Sequence, residues 1–204
     1  MHPEILSKEQ KELLPMMRQF KREFYLVGGT AIALQLGHRR SIDFDLFKLS
    51  NLNATRTIKK INTTKFPYVV TRRVSEQINL MMNTVKITFY QYPYKTDANV
   101  DFENMFRMPD LLTLSAMKAY ALGRRAKWKD YVDLYFLLHE YTLDQINQKA
   151  DLLFEQMFSG KLFRSQLAFH KDIDFSEPVE YMPGFEVDEQ EIKDFLIDKS
   201  LQEI

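Results

Sequence analysis

Residues 24–47, FYLVGGTAIALQLGHRRSIDFDLF, decide how the rest of the chain is read. A short β-branched and aromatic run ends in Gly28-Gly29-Thr30, and a second run, Ile42 to Phe47, carries Asp43 and Asp45. Side chains two apart on a strand share a face, so the two carboxylates are expected to point together, with Phe44 and Leu46 turned into the core. Two acids held side by side repel unless a cation lies between them. Hard oxygen donors in such a pair suit Mg²⁺, which commonly takes one or two carboxylates together with phosphate oxygens and water. Gly28, Gly29 and Thr30 supply a complementary element: backbone without Cβ approaches a phosphate closely, and the start of the following helix offers free N–H donors to it. Without the acidic strand, the same glycines would read as a tight strand-to-helix turn.

The remainder of the sequence surrounds this stretch with an α/β pattern. Ser7 to Glu23 carries Leu13, Leu14, Met17 and Phe20 at helical spacing, with Ser7 as N-cap and Pro15 as a possible kink. It leads into a strand, Phe24 to Val27, and then a short helix, Thr30 to Leu36, ended by Gly37. A polar stretch from Ser50 to Thr57 opens another helix. Phe66 to Val74, Gln77 to Met82 and Thr84 to Tyr90 read as strands of one mixed or antiparallel set. After Pro109 the periodicity becomes helical, with helices expected over Asp110–Arg124, Lys127–Glu140 and Leu143–Phe158. Lys171 to Gly184 reads as loop, and Val187 to Ile204 as a final helix. The expected division is therefore an α/β core over 1–108 and a helical subdomain over 109–204.

Composition narrows the function classes. The 204 residues suffice for one domain with a helical appendage, and 45% hydrophobic content excludes a disordered chain. Lys plus Arg equals Asp plus Glu, 28 each, so any attraction to nucleic acid has to come from local patches. Cysteine is absent, which excludes disulfides and zinc–thiolate sites and fits a reducing compartment. MHPEILSKEQKELL is charged throughout, unlike a signal peptide, and no run is long enough to span a bilayer. The expectation is a soluble, cytoplasmic protein with no membrane partner.

Gly28-Gly29-Thr30 followed by Asp43-Phe44-Asp45 resembles the signature of the nucleotidyltransferase superfamily related to DNA polymerase β. The closer likeness is to AbiE-type (AbiEii) toxins. It rests on Gly28 to Phe47, with its His38-Arg39-Arg40-Ser41 insert, and on Ala116 to Leu138, AMKAYALGRRAKWKDYVDLYFLL. The resemblance implies a nucleotidyltransferase-like mixed sheet flanked by helices, with a C-terminal helical bundle closing over the nucleotide. It implies transfer of a nucleoside monophosphate from an NTP to an RNA, such as a tRNA end, or to a protein. Mg²⁺ would be held by Asp43 and Asp45, the nucleotide by Gly28, Gly29, Thr30, Arg40 and Lys118, and a cognate antitoxin would be the physiological partner.

Several positions read two ways. Asp43 and Asp45 would also suit exposed carboxylates paired to Arg39 and Arg40. Lys118 lies in an otherwise apolar helix and, on periodicity alone, reads as a solvated lysine on its outer face; the resemblance implies instead a contact with the triphosphate. Asp130 and Asp133, three apart on a helix, share a face and read as solvent-facing partners of Arg124, Arg125, Lys127 or Lys129, whereas the resemblance implies Asp130 as a catalytic or site-organising carboxylate, with Asp133 second. Arg124, Arg125, Lys127 and Lys129, interrupted by Trp128, form the densest basic run, suited to phosphates or an RNA backbone, although a solvated helix-turn-helix surface is the more frequent explanation of such a run. His38 reads as a capping or supporting residue. Val85 to Tyr90 carries no acid where many polymerase-like transferases place a third carboxylate. That absence leaves an alternative: a catalytically inactive nucleotide-binding module acting through protein interaction.

Overall fold

In the computed structural model of the chain, residues 1–202 are described. Contacts divide the chain into two units, Met1–Asp110 and Leu111–Ile204.

The first unit is a mixed sheet with helices. Helix α1 spans Lys8–Met17 with Pro15 inside it, and a 3₁₀ turn follows over Arg18–Phe20. Ser7 caps α1 reciprocally, its backbone N–H donating to Gln10 Oε1 at 3.0 Å while its hydroxyl accepts from Gln10 N at 3.2 Å. Strand β1 (Tyr25–Val27) runs straight into helix α2 (Gly28–Leu36), which Gly37 ends in a left-handed conformation at φ 78°. Strand β2 (Phe44–Lys48) and helix α3 (Ala54–Ile61) follow, then β3 (Tyr68–Arg73), β4 (Gln77–Met82) and β5 (Val85–Gln91). The sheet order is β1-β2-β5-β4-β3, with β2 and β5 parallel and the other pairs antiparallel. Asn83 and Thr84, at φ 48° and 67°, make the turn between β4 and β5, in the positive-φ geometry that fits the twist of a two-residue hairpin.

One face of this sheet is core. Phe44, Leu46, Ile78, Leu80, Ile87 and Phe89 are buried on it, and Phe89 meets Phe20 and Phe24 at 4.8 and 5.2 Å between ring centroids. A hairpin of β6 (Val100–Phe102) and β7 (Phe106–Met108) completes the unit. The sequence reading had no element there: each strand has three residues, too few for alternation to show.

The second unit is helical throughout: α4 (Leu111–Leu122), α5 (Trp128–Glu140), α6 (Leu143–Phe154), α7 (Gly160–Ala168) and α8 (Glu189–Leu201). Its core gathers Tyr131, Leu134, Leu138, Ile146, Phe163 and Ile192. The helix expected over Leu143–Phe158 stops earlier, because Glu155 turns to φ 49° and a 3₁₀ turn over Glu155–Met157 follows. Helix α7 was not foreseen; Ser159 caps it by accepting from Leu162 N at 3.2 Å. The expected final helix begins at Glu189, and residues 203 and 204 of that expectation lie outside the described residues. No helix among the described residues is long and apolar enough to cross a membrane.

Candidate active site

The first unit brings the glycine turn onto the acidic strand. β1 and β2 pair with Val27 opposite Asp45, so the residue after Val27 is carried over the Asp45 side chain. Gly28 takes φ +71°, and a Cβ placed on it would lie 2.5 Å from Asp45 Oδ2. The backbone there favours glycine, and any Cβ would have to displace the Asp45 carboxylate. The expected start of the helix at Thr30 is corrected by two residues, since α2 already includes Gly28 and Gly29. Both glycines therefore sit in its first turn, whose N–H groups have no partner within the helix.

Gly29 is crowded by side chains alone, its backbone being one that any residue adopts. A Cβ there would lie 2.5 Å from Arg39 Nη2 and 3.2 Å from Ser41 Oγ. Thr30 is buried, and its hydroxyl donates to Ser41 Oγ at 2.9 Å and to the Asp43 carbonyl. These bonds fasten α2 to the approach of β2. Arg40, expected at the nucleotide, donates from Nη1 to the Glu4 carbonyl at 3.3 Å, whereas Arg39 is the arginine beside the turn. Arg39 and Ser41, which were not among the expected site residues, stand beside Gly29, and the alternation from Asp45 through Asp43 extends back through Ser41 to Arg39. His38 is fully buried.

Asp43 lies just before β2 rather than on it, because the strand starts at Phe44. Within β2 the expected alternation holds: Phe44, Leu46 and Lys48 are buried, and Asp45 and Phe47 half-buried. No cluster of three or more His, Cys, Asp or Glu suited to a metal occurs among the described residues. Two carboxylates, if they converged, would suit Mg²⁺ only with phosphate oxygens and water completing its shell. Across the parallel pairing Asp45 stands opposite Thr88, and Thr88 opposite Asn79 on β4. A hydroxyl and an amide thus occupy the row that a third strand carboxylate would join.

In the second unit, Lys118, Asp130 and Asp133 come together in the interior. Lys118 Nζ lies 2.7 Å from Asp130 Oδ1 and 2.8 Å from Asp133 Oδ2, with the lysine side chain 5% exposed and both acids 0%. Arg125 Nε reaches Asp130 Oδ2 at 3.1 Å from a half-exposed position. The face shared by the two acids is as expected, but it points inward. Neither the outer-face reading of Lys118 nor the solvent-facing reading of the acids holds, since i, i+3 spacing names a common face without saying which way it turns. Burial pushes the Asp130 carboxyl up, yet Lys118 and Arg125 outweigh it and hold it below the usual carboxylate range. The neighbouring Tyr131 phenol, buried and close to Asp130, is pushed up to about 12.

The basic run around Trp128 is largely neutralised within the unit. Arg124 lies over the Tyr120 ring at 3.5 Å, and Arg125 serves Asp130. Lys127 and Lys129 both pair with Glu177, and these contacts outweigh its partial burial to hold its carboxyl at about 2. Trp128 is buried, stacked on Phe175 at 5.2 Å.

Gly28 yields a direct prediction. Gly28→Ala is expected to strain the backbone by about 1–2 kcal/mol and to displace the Asp45 carboxylate, cutting nucleotidyl transfer by about tenfold or more. Gly184 is the control, since it has φ +88° with nothing within 4 Å of its would-be Cβ. Gly184→Ala carries comparable strain and should leave transfer unchanged; equal activity of both variants would show that the space above Asp45 is immaterial.

A glycine turn seated on an acidic strand of a mixed sheet, in a chain with a helical second unit, is the build of a nucleotidyltransferase. A family model described as nucleotidyl transferase AbiEii toxin, type IV toxin–antitoxin system, matches residues 16–203, and the chain belongs to that family of nucleotidyltransferase toxins. An uncharacterised protein of Aquifex aeolicus (strain VF5) is 30% identical over 149 residues, covering 68% of this chain and 70% of that protein. Two solved structures share the fold. The nucleotidyltransferase toxin MenT4 of Mycobacterium tuberculosis superposes with a TM-score of 0.62 at 13% identity, over 94% of this chain and 80% of that one. JHP933 of Helicobacter pylori gives 0.60 at 16% identity, over 96% and 91%.

Proposed function

We propose that this transferase moves a nucleoside monophosphate from an NTP to a hydroxyl of an RNA, such as a tRNA end, or of a protein. The acceptor oxygen forms a bond to the α-phosphorus as the bond to the pyrophosphate oxygen breaks, and the hydroxyl proton passes to a base. The observation that carries the reading is the fit of Gly28 over Asp45 Oδ2. It sets phosphate-approaching backbone beside a carboxylate suited to a divalent ion, which is the pairing phosphoryl transfer requires. Gly28, Gly29 and the Thr30 N–H would receive phosphate oxygens, with Arg39 supplying positive charge beside them. Asp43 and Asp45 would hold Mg²⁺, whose contribution when bound is to neutralise charge on the phosphates.

Lys118, Asp130 and Asp133 enter the proposal with the roles the resemblance gives them, the lysine as a cation for phosphate and Asp130 as the carboxylate needed for turnover. Nucleotide would have to compete with two buried acids for that lysine. The reaction is placed in the cytoplasm, where NTPs are available, and a co-encoded antitoxin is its counterpart.

The test incubates the purified chain with each α-labelled NTP, Mg²⁺ and total cellular RNA or protein, then treats the products with nuclease or protease. Label that becomes acid-insoluble and is released by one treatment identifies the acceptor class. Thr88 in place of a strand acid favours the second reading, a nucleotide-binding module; NTP binding without incorporation into any acceptor would select it.

A further inference from the structure

Strand β3 (Tyr68–Arg73) lies at one edge of the five-stranded sheet, paired only to β4. Every residue from Val69 to Arg73 is exposed. Val69 is 65% exposed and Val70 41%, and Val74 follows just beyond the strand at 37%. An open edge presents unpaired N–H and C=O groups along its length, and a run with exposed valines is a surface that another strand can extend.

The segment that carries this edge is rich in cations. No Asp or Glu stands between Asp45 and Glu76, although the chain as a whole is neutral. Lys48, Arg56 and Lys60 from that span converge on Glu23, at 4.0, 3.3 and 3.1 Å. Lys65, Arg72 and Arg73 are exposed; the Ser75 hydroxyl holds the Glu76 carboxyl below its ordinary range, and Arg72 is near enough to help. Glu76, at the end of the span, accepts a hydrogen bond from the Ser75 hydroxyl.

We propose that the β3 edge is a docking site for an acidic, β-forming segment of a partner protein, which adds a sixth strand to the sheet. The cations disfavour a second copy of this chain, since self-pairing would bring two cationic strands of like sign together, with Arg72 and Arg73 of both copies side by side in the parallel arrangement. They favour acids at the same positions. A nucleic acid would satisfy the cations but leave the valines and the strand's hydrogen-bonding groups without partners. A bulge between Val70 and Arg72 limits straight pairing to short segments on either side.

The probe is a labelled, acetylated eight-residue peptide alternating glutamate and valine, read by fluorescence polarisation against the full chain. Two peptides accompany it: one with lysine in place of glutamate, and one N-methylated at alternate residues. Saturable binding of the glutamate peptide is expected, about tenfold or more tighter than either comparison peptide. The double variant Arg72→Glu, Arg73→Glu should weaken it by about tenfold and favour the lysine peptide. Because both arginines are exposed, the variant's thermal melt should match wild type; if it does not, Lys65→Glu repeats the test. Equal binding of glutamate and lysine peptides, or binding that survives N-methylation, overturns the proposal. So does tight binding of a single-stranded RNA oligonucleotide that the arginine variant loses while no peptide binds, which would mark the surface as a nucleic-acid interface.

Discussion

Asp45→Asn should reduce incorporation of α-labelled nucleotide by about 100- to 1,000-fold, the usual loss when one preorganised electrostatic partner of a transferring group is removed. The substitution preserves shape beneath Gly28 but removes the charge that a divalent ion requires. Asp45 is only half-buried at the sheet surface, so the thermal melt should stay within a few degrees of wild type. Asp43→Asn should behave in the same direction. Transfer by Asp45→Asn at near-wild-type rates, with the protein folded, would detach the chemistry from the glycine turn.

The second large effect concerns stability. Lys118→Met keeps the volume of the side chain but leaves Asp130 and Asp133, both fully buried, with Arg125 on Asp130 as the remaining cation among the contacts described. Breaking a buried ion pair from one side costs about 3–5 kcal/mol. Urea denaturation of the full chain near neutral pH should therefore show a markedly lower midpoint for the variant. Asp130 gives the acid side of the same experiment. Its folded carboxyl lies below its ordinary value, so the stability it contributes is present above an unfolded pKa of about 3.9 and is lost as pH falls through the folded value. Without Lys118 the buried acids should protonate at higher pH, and the gap between variant and wild type should narrow as pH falls from 7 to 4. A gap below about 1 kcal/mol at pH 7 would show that the trio contributes little to folding and leave Lys118 to nucleotide alone.

Much of the first unit was readable because its signals are local. Gly28-Gly29 and Asp43-Phe44-Asp45 each declare a backbone shape within a few residues, and the β-branched runs around Ile78 and Ile87 declare strands. The antiparallel pairing of β1 with β2 sets Val27 opposite Asp45 and so brings the glycine turn to the acidic strand. Arg40 was favoured over Arg39 because the sequence does not show which of two adjacent arginines faces the turn; that depends on the phase of an extended segment leading into β2. The second unit was less legible. The cations around Trp128 read either as a ligand patch or as a solvated surface and not as partners of Glu177, because Glu177, which takes Lys127 and Lys129, lies far along the chain in a stretch without regular structure. Lys118 and the two acids stand on different helices, and their meeting is set by how α4 packs on α5. Periodicity within either helix carries no trace of it.

The confinement of Gly28 and Gly29 has a genetic consequence. Any change in the first or second base of a glycine codon installs a side chain or a stop, and at these two codons a side chain must push aside a charged group of the candidate site: Asp45 for one, Arg39 for the other. In a population selected to survive expression of this toxin-family chain, missense escapes should gather at this pair out of proportion to its length, whereas codon 184, open on every side, should collect few.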